Sequence, residues 1–271
     1  MSGRWRATGP ARPWPAAGAA LLLAGTAQVL PAGTWLPGPR CALFPALAGL
    51  GRPDHVALTF DDGPDPRTTP RFLDALDGLA VRATFFVLGE RLAHHWDLGR
   101  EIVRRGHELA VHGWTHDRPW RPSPLRESRR LSLAAHLVAQ AYGDAPLWYR
   151  PPYGILTGDR LAAARTAGLR PVLWSAWGRD WTSRATARSV LDLLLRDLRG
   201  GGTALLHDTD REGAPGCWRA ALGALPGLVA VCREAGLAVG PLGEHEVTRG
   251  HRRGARLIGG GPSGPADPRA R

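Results

Sequence analysis

The stretch HVALTFDDGPDP, His55 to Pro66, runs an apolar segment suited to a buried strand into two adjacent carboxylates and then a turn. Asp, Gly and Pro are the residues that stop a strand and bend the chain. Turn formation has a use for one aspartate, but two side by side repel each other. Asp61 and Asp62 therefore either open a solvated turn or are held there by a metal ion or a proton transfer.

The remainder of the chain repeats the same alternation. HVALTF, ATFFVLG, ELAVHGW, LWYRPPY, RPVLWSAW, TALLHD and LAVGPL read as strands. TTPRFLDALDGLA, LGREIVRRG, SPLRESRRLSLAAHLVAQAYG, GDRLAAARTAG, ARSVLDLLLRDLRGG and CWRAALGALPGLVAVCREAG read as helices between them. Strands alternating with helices in this way predict an α/β fold: a distorted or partial (β/α) barrel of about seven parallel strands in a single domain.

In such folds the chemistry collects where the βα loops meet, at the C-terminal ends of the strands. Those ends carry TFDDG, VHGWTH, YRPPYG, WGRDW and LLHD, so carboxylates, imidazoles, an arginine and tryptophans should share one rim. Turn preference does not select His, Arg and Trp. His112 and His116 stand four apart, which on a helical turn points both rings to one side. Alone they could be surface histidines like His94 and His95. Joined by one carboxylate from the first strand, they form an open site that leaves room for water and substrate. One of the paired aspartates then binds the ion, and the other is free to take a proton from the attacking water. His207 can protonate a leaving amine, and Arg150, in a rigid Pro-Pro turn, can hold the free aspartate ionised.

TFDDGP, HGWTH, RPPYG, GRDW and LLHD, in this order, resemble the five motifs of the polysaccharide deacetylase family, also called carbohydrate esterase family four or the NodB homology domain. The resemblance covers about residues 54–245, and TFDDGP is its most specific element. It implies a distorted barrel and a divalent metal, usually zinc, with cobalt, manganese or iron able to serve. The implied activity is removal of acetyl groups, mostly from N-acetylated sugars. By the same resemblance Asp61 is the catalytic base, and Asp62, His112 and His116 are the metal ligands. Arg150 pairs with the base, the backbone amide of Tyr153 helps hold the oxyanion, and His207 is the acid. Trp181 and Leu205 shape the acetyl pocket, and Asp180 orients or tunes His207. The sequence departs from the family pattern twice. Gly113 stands where a Ser or Thr often follows the first histidine, and Trp177 replaces a second aspartate, which leaves Asp180 to serve His207 alone.

The expected activity is metal-dependent N-deacetylation of a GlcNAc-containing glycan: peptidoglycan, a chitin-like oligomer or an exopolysaccharide. An O-acetyl esterase or small-amide deacylase would use the same groups. A non-catalytic glycan-binding envelope protein would be expected to have lost Asp61 or a ligand, and none is missing.

A net charge of +11 invites a nucleic-acid reading, but its distribution excludes one. Residues 1–50 hold four Arg and no acid, residues 248–271 hold six Arg and one Asp, and between them 25 Arg face 23 acids. The stretch 248–271 reads as a disordered basic tail. Arg4, Arg6 and Arg12 precede the apolar run AAGAALLLAGTAQVL, Ala16 to Leu30, in the manner of a secretory signal. Residues 1–50 are therefore expected to be an export signal or a membrane-associated segment, and residues 51–247 the catalytic domain of a secreted or envelope-associated monomer. Cys41, Cys217 and Cys232 show no metal-type spacing, and a Cys217–Cys232 bridge stays open.

Overall fold

In the computed structural model, which describes residues 14–120 and 122–247, β1 (His55–Asp61) is buried along its whole length and sits at the middle of one sheet. The tail over 248–271 and the Arg4, Arg6 and Arg12 start lie outside the described residues. Val56, Leu58 and Phe60 face outward and join Phe72, Leu73 and Leu76 in the main core. The alternate residues Ala57, Thr59 and Asp61 face the barrel interior, as the two-residue period of a strand requires. Small and polar side chains on that inner face leave room for buried charge.

The other strands are β2 (Thr84–Val87), β3 (Glu108–Val111), β4 (Trp148–Tyr149), β5 (Arg170–Pro171), β6 (Ala176–Trp177), β7 (Thr203–His207) and β8 (Ala238–Gly240). All pairings are parallel, in the order β5-β4-β3-β2-β1-β7-β6, with β8 beside the first half of β1. The expected partial barrel of parallel strands is what forms. The single strand expected over RPVLWSAW is instead two, β5 and β6, lying on opposite edges of the sheet. Four residues, 172–175, join those edges, so the sheet has to curl until its margins nearly meet. Crossing between edges leaves carbonyls without ladder partners, and two buried arginines satisfy them. Arg150 donates to Val172 O (3.3 Å) and Leu173 O (2.8 Å), and Arg40 donates to Trp174 O (2.7 Å).

Around the sheet lie α1 (Trp14–Val29), α2 (Pro37–Leu43), α3 (Thr69–Gly78), α4 (Gly89–His94), α5 (Trp96–Arg104), α6 (Pro124–Tyr142), α7 (Gly158–Thr166), α8 (Ala187–Asp197) and α9 (Trp218–Glu234). The six helices read from sequence are α3 and α5–α9. Pro124 opens α6, where its missing N–H costs nothing, and Gly143 closes it at φ +87°. Thr186 and Ser189 form a capping box on α8. The apolar N-terminal run is α1, and Gln28 near its end is bound to Asp159 through both its amide nitrogen (2.8 Å) and its oxygen (3.0 Å). Among the described residues no helix is long and apolar enough to cross a membrane. Cys41, Cys217 and Cys232 are all unbridged.

Candidate active site

Strand register brings the rim residues to one level. Asp61 pairs with His207 across β1 and β7, while Val111 pairs with Val87 and Tyr149, so His112 and Arg150 leave their strands side by side. Asp61 Oδ1 accepts from Arg150 Nη1 at 2.7 Å. Arg150 is fully buried, donates also to Thr59 Oγ1 (2.8 Å), and lies 4.0 Å over the Phe86 ring. Burial lowers the Arg150 guanidinium and the Asp61 charge opposes that shift. Asp61 is therefore the carboxylate that neutralises a cation out of reach of water.

Asp62 parts from its neighbour because its backbone adopts φ +78°, a region that side-chain-bearing residues seldom enter. Its Oδ1 lies 3.1 Å from His112 Nε2 and 3.5 Å from His116 Nε2. His112 Nδ1 is 2.8 Å from Arg150 O, where it donates, so its Nε2 lone pair faces Asp62. Burial alone would raise the Asp62 carboxyl, but the imidazoles around it, the cationic His207 among them, hold it well below the usual carboxylate range. Burial pushes the His116 imidazole down to about 4, so it is neutral at physiological pH. Asp62 Oδ1 is buried without a hydrogen-bond partner, and the three ligand atoms lie within 4.8 Å of one another. Lone pairs facing one another around an orphaned carboxylate oxygen fit a divalent cation, and one carboxylate with two imidazoles leaves positions open.

The two histidines do not share a helical turn. They converge through a loop in which Gly113 has φ +108°. This conformation accounts for the glycine, since a serine or threonine there would be strained. His112 is steadied by the Arg150 carbonyl.

His207 closes the opposite wall. Asp180, 1% exposed, accepts from the His207 backbone N–H (2.7 Å) and from its Nδ1 (2.9 Å). Burial would lower this imidazole, but Asp180, then Asp62 and Asp61, raise it to about 10. It is an imidazolium through neutral pH, and its proton is lost only as pH rises through that value. Removing the Asp180 charge leaves burial to act with less opposition. Asp180→Asn should therefore move the basic limb of the pH–rate profile down by roughly one unit or more. The comparison is between metal-loaded enzymes, and an unmoved limb would show that Asp180 does not control the proton.

Asp61, Asp62, His112, His116 and His207 all line a cavity of about 400 Å³, with Tyr153, Trp181 and Leu205 around them. Tyr153 sits at φ +63° with its ring 4.3 Å from that of His116. Leu205 is buried on β7, and Trp181 meets His207 edge-on at 5.8 Å. Arg150 and Asp180 stand behind this wall. Sequence reasoning missed Arg91 and Glu212. Arg91 donates to Asp62 O and pairs with Glu212 at 2.6 Å, and Glu212 approaches His116 Nδ1 at 3.4 Å. Both follow a strand end, Arg91 in α4 after β2 and Glu212 after β7, so the rim argument extended beyond the motifs would have reached them. Missed too was Trp35, which reaches the cavity from the N-terminal segment.

A family model described as polysaccharide deacetylase matches residues 49–172. A chitooligosaccharide deacetylase of Bradyrhizobium sp. (strain ANU 289) is 42% identical over 154 residues, covering 56% of this chain and 70% of the relative. The chain belongs to the polysaccharide deacetylase family. A peptidoglycan-N-acetylglucosamine deacetylase of Bacillus cereus is 33% identical over 156 residues, covering 56% of this polysaccharide deacetylase and 72% of that one. Among solved structures, a peptidoglycan N-acetylglucosamine deacetylase superposes with a TM-score of 0.70 at 27% identity, covering 80% of this chain and all of the other (100%). A family 4 carbohydrate esterase from Streptomyces lividans bound to acetate gives 0.62 at 29% identity, covering 69% and 92%. Like its relatives this chain is a hydrolase of the amide-cleaving class.

Proposed function

We propose that this deacetylase removes N-acetyl groups from a GlcNAc-containing glycan, releasing acetate, with a divalent cation, zinc first, at Asp62, His112 and His116. The observation that carries the reading is the convergence of those three ligand atoms between the Asp61–Arg150 pair and the Asp180-held His207. When bound, the cation supplies Lewis-acid polarisation of the amide carbonyl and makes water a stronger acid. Asp61, held in place by Arg150, takes the proton of the attacking water. The Tyr153 backbone N–H donates to the developing oxyanion. Trp181 and Leu205 enclose the acetyl methyl. His207 gives its proton to the departing amine, and Asp180 keeps the ring oriented and charged.

The chitooligosaccharide and peptidoglycan deacetylases among the relatives support the substrate class, and the peptidoglycan names support work at the cell envelope. An exported monomer, delivered by the apolar N-terminal run, fits that setting. The test is acetate release from a panel of N-acetylated glycans and one acetyl ester. Chelated enzyme should be inactive, and adding back zinc should restore release from GlcNAc glycans. Full activity of chelated, metal-free protein, or release from the ester alone, would overturn the reading.

A further inference from the structure

A neutral imidazole carries one ring proton, so a histidine that offers its Nε2 lone pair to a cation must keep that proton on Nδ1, where it needs an acceptor. His112 finds one in Arg150 O, 2.8 Å from its Nδ1. The Nδ1 of His116 is also buried but has no hydrogen bond, and the acceptor that faces it is Glu212 Oε2 at 3.4 Å. Glu212 follows LLHD and belongs to none of the five motifs, so its role has to be read from its contacts.

Those contacts hold the carboxylate toward the histidine. Glu212 Oε1 pairs with Arg91 Nη2 at 2.6 Å, and Arg91 Nη1 donates to Asp62 O. Asp62 Oδ1 in turn lies 3.5 Å from His116 Nε2. Asp62, Arg91, Glu212 and His116 thus form a closed ring of contacts that ties together the segments following β1, β2, β7 and β3. The base of Arg91 is fixed as well, because α4 begins with the Gly89 N–H donating to Gly113 O (2.9 Å) and the Glu90 N–H donating to Trp114 O (3.0 Å). A Cβ on Gly89 would come within 2.6 Å of the Trp114 ring, so helix and histidine loop meet without slack. The Arg91 and Glu212 side chains are only 19% and 29% exposed. The pair is therefore screened less than a surface ion pair and can serve as a brace.

We propose that Glu212, braced by Arg91, is the positioning residue for His116: its carboxylate accepts the Nδ1 proton and so fixes the tautomer and ring angle that aim Nε2 at the cation. The inference rests on the metal-site reading above. Zinc affinity of the full chain, measured by competition with a chelator, should fall roughly 10–100-fold in Glu212→Ala. Glu212→Gln should lose less, since its carboxamide oxygen still accepts. Glu212→Met keeps the side-chain length without an acceptor and answers the question should Glu212→Ala not fold. The ring protons give a readout that general loosening would not. In zinc-saturated, ¹⁵N-labelled Glu212→Ala the His116 Nδ1–H signal should be lost to exchange with water, while that of His112, held by Arg150 O, persists. Unchanged zinc affinity in the Ala and Met variants, an unchanged His116 signal, or loss of both histidine signals together would overturn the positioning role and leave the deacetylase reading intact. A wild-type chain that binds no zinc would defeat both.

Discussion

Asp61→Asn is expected to keep its divalent cation at unchanged stoichiometry and to turn over about 10²–10⁴-fold more slowly. The carboxamide can still accept from Arg150 Nη1, where the carboxylate now accepts at 2.7 Å, but it cannot take the proton of the attacking water. The choice of asparagine matters. Asp61→Ala would strand a fully buried guanidinium without its carboxylate, a change that costs about 3–5 kcal/mol. Lost activity would then be mixed with lost structure. Metal analysis beside steady-state rates checks the prediction, and near-normal turnover would exchange the roles of the two aspartates.

The second large effect is loss of metal and activity together in His112→Ala. In the proposed site His112 supplies an Nε2 lone pair oriented by the Arg150 carbonyl, so its removal would take away a ligand. Affinity should fall by more than the roughly 10–100-fold typical of an outer supporting group, with activity dropping to background. Thermal melts give a readout independent of turnover: zinc at 100 times its Kd should stabilise the wild type by about 2.7 kcal/mol and the variant hardly at all. Full metal occupancy in His112→Ala would refute the ligand assignment. The barrel itself should persist, because the strands around His112 are held by the Phe60, Phe85 and Leu109 core.

Both effects trace to residues that were legible in the sequence. The apolar run HVALTF ended at the paired aspartates, and the repeated strand–helix pattern predicted a parallel sheet whose loops converge at that end. Periodicity encodes which face of an element is buried, and that information is local. The same locality explains the error at His112 and His116. A spacing of four suggests one helical face, but Gly113 at φ +108° brings the rings together through a loop instead.

Tertiary structure alone decided how the barrel closes and what stands at its mouth. RPVLWSAW has the composition of one strand, yet it splits between the two sheet edges because Arg150 and Arg40, from distant parts of the chain, satisfy the carbonyls of the crossing. Nothing near Trp35 in sequence indicates that it packs on Trp177 beside the catalytic cavity. Likewise the charge on His207 depends on Asp180 meeting it across the fold, 27 positions away. Strands and helices follow from the order of neighbouring side chains. Ring closure, aromatic walls and shifted proton affinities arise from contacts between residues far apart in the chain, which form only when a buried charge or an unpaired carbonyl finds its partner in three dimensions.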